Sequence, residues 1–187
     1  MGFSLSGELL GMEGIAHGKH GCDAIALEDS QICAIPYAAL QRLGSEIPSL
    51  GHGLNCMMSR EIGRGYGVML LLGSMSAEQR LATFLLNISQ RLRARGYSPS
   101  EFVLRMTRFE IGSYLGMKLE TVSRMFSQFQ SRGIVAACGK EIHIAAPEKL
   151  KAIVQGADPH LGEHLKSKHA VVTFHELSPV QAANATR

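Results

Sequence analysis

The stretch Thr107–Phe126, TRFEIGSYLGMKLETVSRMF, decides the fold. At first pass it has the pattern of one amphipathic helix, yet Gly112 and Gly116 fall inside it. A glycine in a helix interior costs about 1 kcal/mol relative to alanine, so two of them need a reason. Thr107-x-x-Glu110 is a capping box: the hydroxyl accepts a free N–H of the first turn and the carboxylate reaches back. Ile111, Tyr114 and Leu115 then give a short apolar face, and Gly116 can end the helix at positive φ. A new period starts after it. Leu119, Val122, Met125, Phe126 and Phe129 fall on one face, with Glu120, Ser123, Arg124, Ser127 and Gln128 on the other, until Gly133. The pattern predicts two short helices joined by a tight turn, which is a helix-turn-helix, although plain helical bundles also use glycine turns. Gly112, lacking a Cβ, would let the second helix cross close to the first, with Val122 filling the angle.

Downstream, GIVAACGKEIHIAA places Ile134–Ala137 and Glu141–Ala145 on either side of Gly139-Lys140, a hairpin signal. A helix-turn-helix followed by a hairpin is a winged helix, and the wing carries Lys140 to where a cation meets phosphate. The polar face of the second helix suits base reading. Arginine can make two hydrogen bonds to guanine, glutamate can accept from cytosine, and serine can bond several base edges. Glu120, Ser123 and Arg124 lie within about one turn of the end that enters a groove. The alternative is a solvated face with an i,i+4 pair between Glu120 and Arg124.

Upstream, Ser76-x-x-Gln79 opens another helix with Leu81, Phe84, Leu85, Ile88 and Leu92 on one face. Its last turn carries Arg91, Arg93 and Arg95, and Gly96 stops it. Before it, Leu54, Met57, Met58, Ile62, Met69 and Leu72 recur mostly at three- and four-residue steps along one long helix. The stripe fits a dimer seam or packing on its own domain equally well. Gly63, Gly65 and Gly67 are expected to bend or break that helix. Near the N-terminus, Ala24–Leu27 and Ile32–Ile35, split by Glu28-Asp29-Ser30, predict a β-hairpin.

Composition limits the function classes. Of 187 residues, 45% are hydrophobic and 19% charged, as in ordinary globular proteins. A net charge of +3 permits a nucleic-acid partner without demanding one. No apolar run is long enough to span a bilayer, and the N-terminus has no basic leader region, so the expected location is cytoplasmic. Cys22, Cys33, Cys56 and Cys138 form no C-x-x-C pair and no disulfide framework. His160 and His164 have a spacing that can seat a metal on a helix, against the reading of a solvated tail. No nucleophile elbow, P-loop, metal triad or glycine-rich dinucleotide turn is present, so an enzyme is not expected.

The segment from Thr107 to Ile144, with ETVSR at its centre and RLATFLLNISQRLRARGYSPSEFVLRMTR before it, closely resembles the FNR branch of the CRP/FNR transcription regulators. The resemblance runs from about Gly2 and is strongest from Ser76 onward. It implies an α+β chain: a partial cyclic-nucleotide-binding-like β-barrel over 1–47, a dimerisation helix over 48–73 and a winged helix-turn-helix over 74–154, while 155–187 extends past the family's usual end, and its polar, weakly periodic sequence predicts a partly disordered tail. It implies a homodimer on palindromic double-stranded DNA, with RNA polymerase as a further partner. The residues matching Glu120, Ser123 and Arg124 read a TTGAT-type half-site, with Lys118, Thr121, Thr107 and Lys140 as further DNA contacts. Lys118 stands where the family usually has a capping Ser or Thr, which weakens the cap by about 1 kcal/mol. Oxygen-sensing members hold a [4Fe–4S] cluster, and Cys33 falls where one ligand lies. The other three ligands have no counterpart, as the resemblance has the chain beginning inside the barrel. No cluster is expected on this chain alone, and Cys33 is expected to be a small buried residue. An alternative function is an interaction module that pairs with a full-length relative.

Overall fold

The computed structural model describes residues 2–156. The 3₁₀ turn Met12–Ala16 is followed by α1 (Tyr37–Glu46), α2 (Pro48–Ser74), α3 (Ala77–Arg93), β1 (Glu101–Val103), α4 (Arg108–Leu115), α5 (Leu119–Ser131), β2 (Val135–Cys138), β3 (Glu141–Ile144) and α6 (Pro147–Val154). The α+β class holds, and so does the layout of a long helix feeding a winged helix-turn-helix.

The core lies around α3. Ser76 accepts from the Gln79 N–H and Gln79 bonds back to the Ser76 N–H, so the predicted capping box starts this helix. Its apolar face buries Leu81, Phe84, Leu85 and Ile88 together with Leu150 and Ile153 of α6 and Val122, Phe126 and Phe129 of α5. The sheet, in the order β1-β3-β2 and antiparallel throughout, adds Val135, Ile142 and Ile144 to the same core. The connector 97–106 thus supplies an edge strand: Phe102 pairs with Ile142, and Leu104 donates to the Lys140 carbonyl at 2.8 Å.

The long helix α2 does not break at its glycines. It runs unbroken for 27 residues, about 40 Å at 1.5 Å per residue. At Gly63, Gly65 and Gly67 nothing stands within 4 Å of where a Cβ would be. The backbone bonds of the flanking turns carry the helix through these positions at the expected loss of propensity. Before it, α1 lies close against α2, and a Cβ on Gly51 would stand 2.7 Å from the Gly44 carbonyl oxygen.

The hairpin expected near the N-terminus does not form. Residues 24–35 contain no strand, and Ile25, Ile32 and Ile35 are exposed. Two short runs need further strands to cover their apolar face, and among the described residues the only sheet belongs to the winged unit. The segment instead touches that unit through an ion pair between Glu28 and Arg105 at 2.8 Å. The first residues also dock there. The Phe3 ring sits 5.2 Å from Tyr114 and 6.0 Å from Phe84, centroid to centroid. The Glu8 carboxylate, 10% exposed, meets Arg91 at 2.6 Å, Arg95 at 2.5 Å and Arg64 at 3.3 Å. His160, His164 and nearly all of the expected tail lie outside the described residues.

Candidate nucleic-acid interface

The two helices of the opening stretch meet as their glycines require. Thr107 caps α4: its hydroxyl oxygen accepts from the Glu110 N–H at 3.2 Å, and Glu110 accepts from the Thr107 N–H at 2.6 Å. These bonds from Thr107, with the charge of Lys140 nearby, hold the Glu110 carboxyl below the usual carboxylate range. Gly116 ends α4 at φ 62°, ψ 40°, the left-handed conformation the turn needs. Gly112 does more than ease a helix crossing. A Cβ there would stand 2.6 Å from the Met117 carbonyl oxygen and 3.4 Å from Val122 Cγ2. The turn itself folds back over Gly112, and the Met117 N–H donates to the Gly112 carbonyl at 2.8 Å.

The second helix, α5, starts at Leu119 behind Lys118. Lys118 has the extended φ and ψ of a capping residue, and its side chain makes no cap bond. Val122, Met125, Phe126 and Phe129 are buried, while Glu120, Ser123 and Arg124 are exposed and Thr121 is half-buried. Leu119 departs from the expected pattern: it is 43% exposed rather than part of the core. It occupies the first position of the helix, ahead of the turn where α4 packs, so the apolar period reaches one residue beyond the buried face. Glu120 and Arg124 form no ion pair with each other among the described residues. Both side chains are therefore available to a partner. Ser127, exposed on the same face, donates to the Ser123 carbonyl one turn back at 3.1 Å.

Arg108, which sequence reasoning did not single out, lies over the Phe126 ring at 3.4 Å, and burial lowers its pKa from the ordinary guanidinium value. It locks the start of α4 onto α5 by a cation–π contact. The wing is a two-residue connection at Gly139-Lys140, with Gly139 at φ 58° and Lys140 exposed at the tip. Gln130 of α5 donates to the Ala137 carbonyl at 3.0 Å, which ties the wing to the second helix. Thr107, Lys118, Glu120, Ser123, Arg124 and Lys140 all lie on exposed positions of one continuous unit, with Thr121 partly covered.

The cysteines do not gather. Cys22, Cys33 and Cys138 are exposed and Cys56 half-buried, all as free thiols. Cys33 was expected to be buried. It is exposed, like Ile32 and Ile35 beside it, because its own segment forms no strand packed on a core. Cys56 lies 3.4 Å from His52 one turn away, and Cys22 lies 3.7 Å from Glu13. Among the described residues no three His, Cys, Asp or Glu side chains come together as a metal site. A [4Fe–4S] cluster takes four thiolates. The lone exposed Cys33 does not fit that donor set. No helix among the described residues is long and apolar enough to cross a membrane.

Residues 79–153 match the family model described as the Crp-like helix-turn-helix domain. The chain is 46% identical over 153 residues to the transcriptional regulatory protein btr of Bordetella pertussis, covering 82% of this chain and 63% of that one. It is 45% identical over 155 residues to the transcriptional activator protein anr of Pseudomonas aeruginosa, covering 83% and 64%. The chain thus spans less than two thirds of the length of these relatives, which are named as regulators and not as enzymes. Among solved structures, FixK2 from Bradyrhizobium japonicum superposes with a TM-score of 0.57 at 33% identity, over 62% of this chain and 57% of that one.

Proposed function

The chain belongs to the FNR branch of the CRP/FNR transcription regulators, and on that premise we propose that it reads a TTGAT-type palindromic site in double-stranded DNA as a homodimer. The observation that carries this reading is the exposed, unpaired polar face at the start of α5, opposite a fully apolar buried face. In it, Arg124 donates twice to guanine, Glu120 accepts from cytosine N4, and Ser123 bonds a neighbouring base edge. Lys118, Thr121, Thr107 and Lys140 meet backbone phosphates and set the register. The Thr107 hydroxyl already donates to Glu110 at 2.8 Å, so its phosphate contact is made by exchanging that bond.

The proposed division of labour follows the chain: 1–47 as the sensor-side segment, 48–73 as the dimerisation helix, 74–154 as the DNA-binding unit and 155–187 as a tail. Two-fold protein symmetry then matches two-fold DNA symmetry. RNA polymerase is the further partner, and the cytoplasm is where this work is done.

Gel-shift titration on a TTGAT-N4-ATCAA duplex tests the reading. Changing one contacted base pair in one half-site is expected to weaken binding by about 5- to 150-fold, since a base contact is worth about 1–3 kcal/mol, and Arg124→Ala, which removes its contact from both protomers, is expected to weaken it further. Unchanged affinity in both cases sinks the assignment.

A further inference from the structure

Arg80, in the first turn of α3, is engaged on two sides at once. Its Nε donates to the Met75 carbonyl at 3.0 Å and its Nη2 to the Leu72 carbonyl at 2.9 Å, at the C-terminal end of α2. Its Nη1 donates to the Leu115 carbonyl at 3.0 Å and reaches the Gly116 carbonyl at 3.5 Å, at the C-terminal end of α4. One guanidinium therefore bridges the ends of the long helix and of the helix that leads into the reading turn. The planar fork is rigid and always charged. A cation between two helix C-termini is favoured by both dipoles. The packing agrees. A Cβ on Gly116 would stand 3.2 Å from Leu72 Cδ2 and 3.4 Å from Arg80 Nη1, so the turn is pressed against the end of α2. Leu71, 5% exposed, is buried beside this joint.

We propose that Arg80 is a positioning residue for DNA recognition: it fixes the angle between α2 and the reading helix, and so sets the half-site spacing a dimer accepts. This rests on the reading of the chain as a two-fold DNA reader through α2. Each winged unit holds its own base-reading face, so affinity for a single half-site does not depend on Arg80. Affinity for two half-sites does, because each added base pair turns the second site by about 34–36° around the duplex. A joint held from two sides tolerates such a rotation poorly.

The experiment uses the full chain, a duplex with one half-site, and a series with two half-sites separated by about two to about six base pairs. The natural chain is expected to prefer one spacing over its neighbours by about tenfold or more. Arg80→Lys keeps the charge but not the two-sided fork, and Arg80→Gln removes the charge. Both are expected to keep single-half-site affinity within about twofold while the spacing preference falls below about threefold. Retention of the natural preference in both variants overturns the proposal, as does a natural chain with no preference. A loss on the single half-site as large as on the palindrome, or loss of the cooperative thermal transition, also overturns it, since Arg80 would then serve the fold alone. A natural chain that binds neither duplex fails the underlying DNA reading instead.

Discussion

A Cβ placed on Gly112 would stand 2.6 Å from the carbonyl oxygen of Met117. The obstacle is backbone, held by the bond from the Met117 N–H to the Gly112 carbonyl, so it cannot swing aside like a side chain. Gly112→Ala is expected to destabilise the fold by about 1–3 kcal/mol, the usual range for overpacking. Gly116→Ala forces a side chain into the left-handed region at φ 62° and is expected to cost about 1–2 kcal/mol. Urea unfolding of the two variants checks both, and a wild-type midpoint for Gly112→Ala would show that the turn yields.

The start of α5 offers a test with two opposite signs. Lys118 holds the capping conformation without a capping bond. Lys118→Ser supplies the hydroxyl and is expected to raise stability by about 1 kcal/mol. If Lys118 also meets phosphate, the same change lowers DNA affinity and reduces the slope of log affinity against log salt by about 1 for each protomer, about 2 for the dimer. Unfolding curves read the first effect and salt titrations of binding read the second. A more stable variant with an unchanged salt slope removes Lys118 from the phosphate contacts.

These outcomes also mark how much was legible in the sequence. The two capping boxes, the turn at Gly116, the wing at Gly139-Lys140 and the buried face of α5 were readable because each rests on local spacing. The two strand runs at Ala24–Leu27 and Ile32–Ile35 misled because a hairpin's stability comes from neighbours that spacing does not reveal. The continuity of α2 through Gly63, Gly65 and Gly67 departs from the expected break for a related reason: propensity losses are additive and small, and a helix of 27 residues absorbs them. Leu119 followed the apolar period yet stands outside the core, since period alone does not say where packing stops. Arg80 and Arg108 carried no local signal. Their partners lie on other helices, up to 36 residues away.

The Glu8 carboxylate should make stability depend on acid pH. Burial on its own raises its pKa, but hydrogen bonds from Arg91, the Leu5 N–H and Arg95 outweigh it, and the pKa lies below the ordinary value. A depressed carboxyl contributes in full above its ordinary range and loses that contribution as pH falls through the lower folded value. Glu8→Gln is expected to cost about 1–3 kcal/mol near neutrality, as for bonds to a charged group. The difference between the two proteins should shrink toward zero as pH falls through that lowered folded value into the acid range. Thermal midpoints across that range check it, and a difference that stays constant with pH would assign the loss to packing instead.

The exposed stripe of α2 gives the last test, and glycines supply it. Ile62 and Met69 are 59% and 69% exposed in the single chain. Gly65 lies three residues after Ile62 and four before Met69, on the same stripe, whereas Gly63 lies off it. Neither glycine has an atom within 4 Å of the place of its Cβ, so in an isolated chain alanine at either site should stabilise the helix by about 0.5–1 kcal/mol. A second α2 packed along the stripe changes the sign at one position only. There the missing Cβ lets the two backbones approach, and Gly65→Ala should weaken the dimer while Gly63→Ala still stabilises it. Sedimentation equilibrium over a concentration series separates the two effects. Ile62→Glu, a charge placed on the same stripe, should dissociate the dimer outright and reduce palindrome binding to that of a single half-site. Equal stabilisation by both alanine variants, with dimerisation untouched, would move the seam to another face of α2.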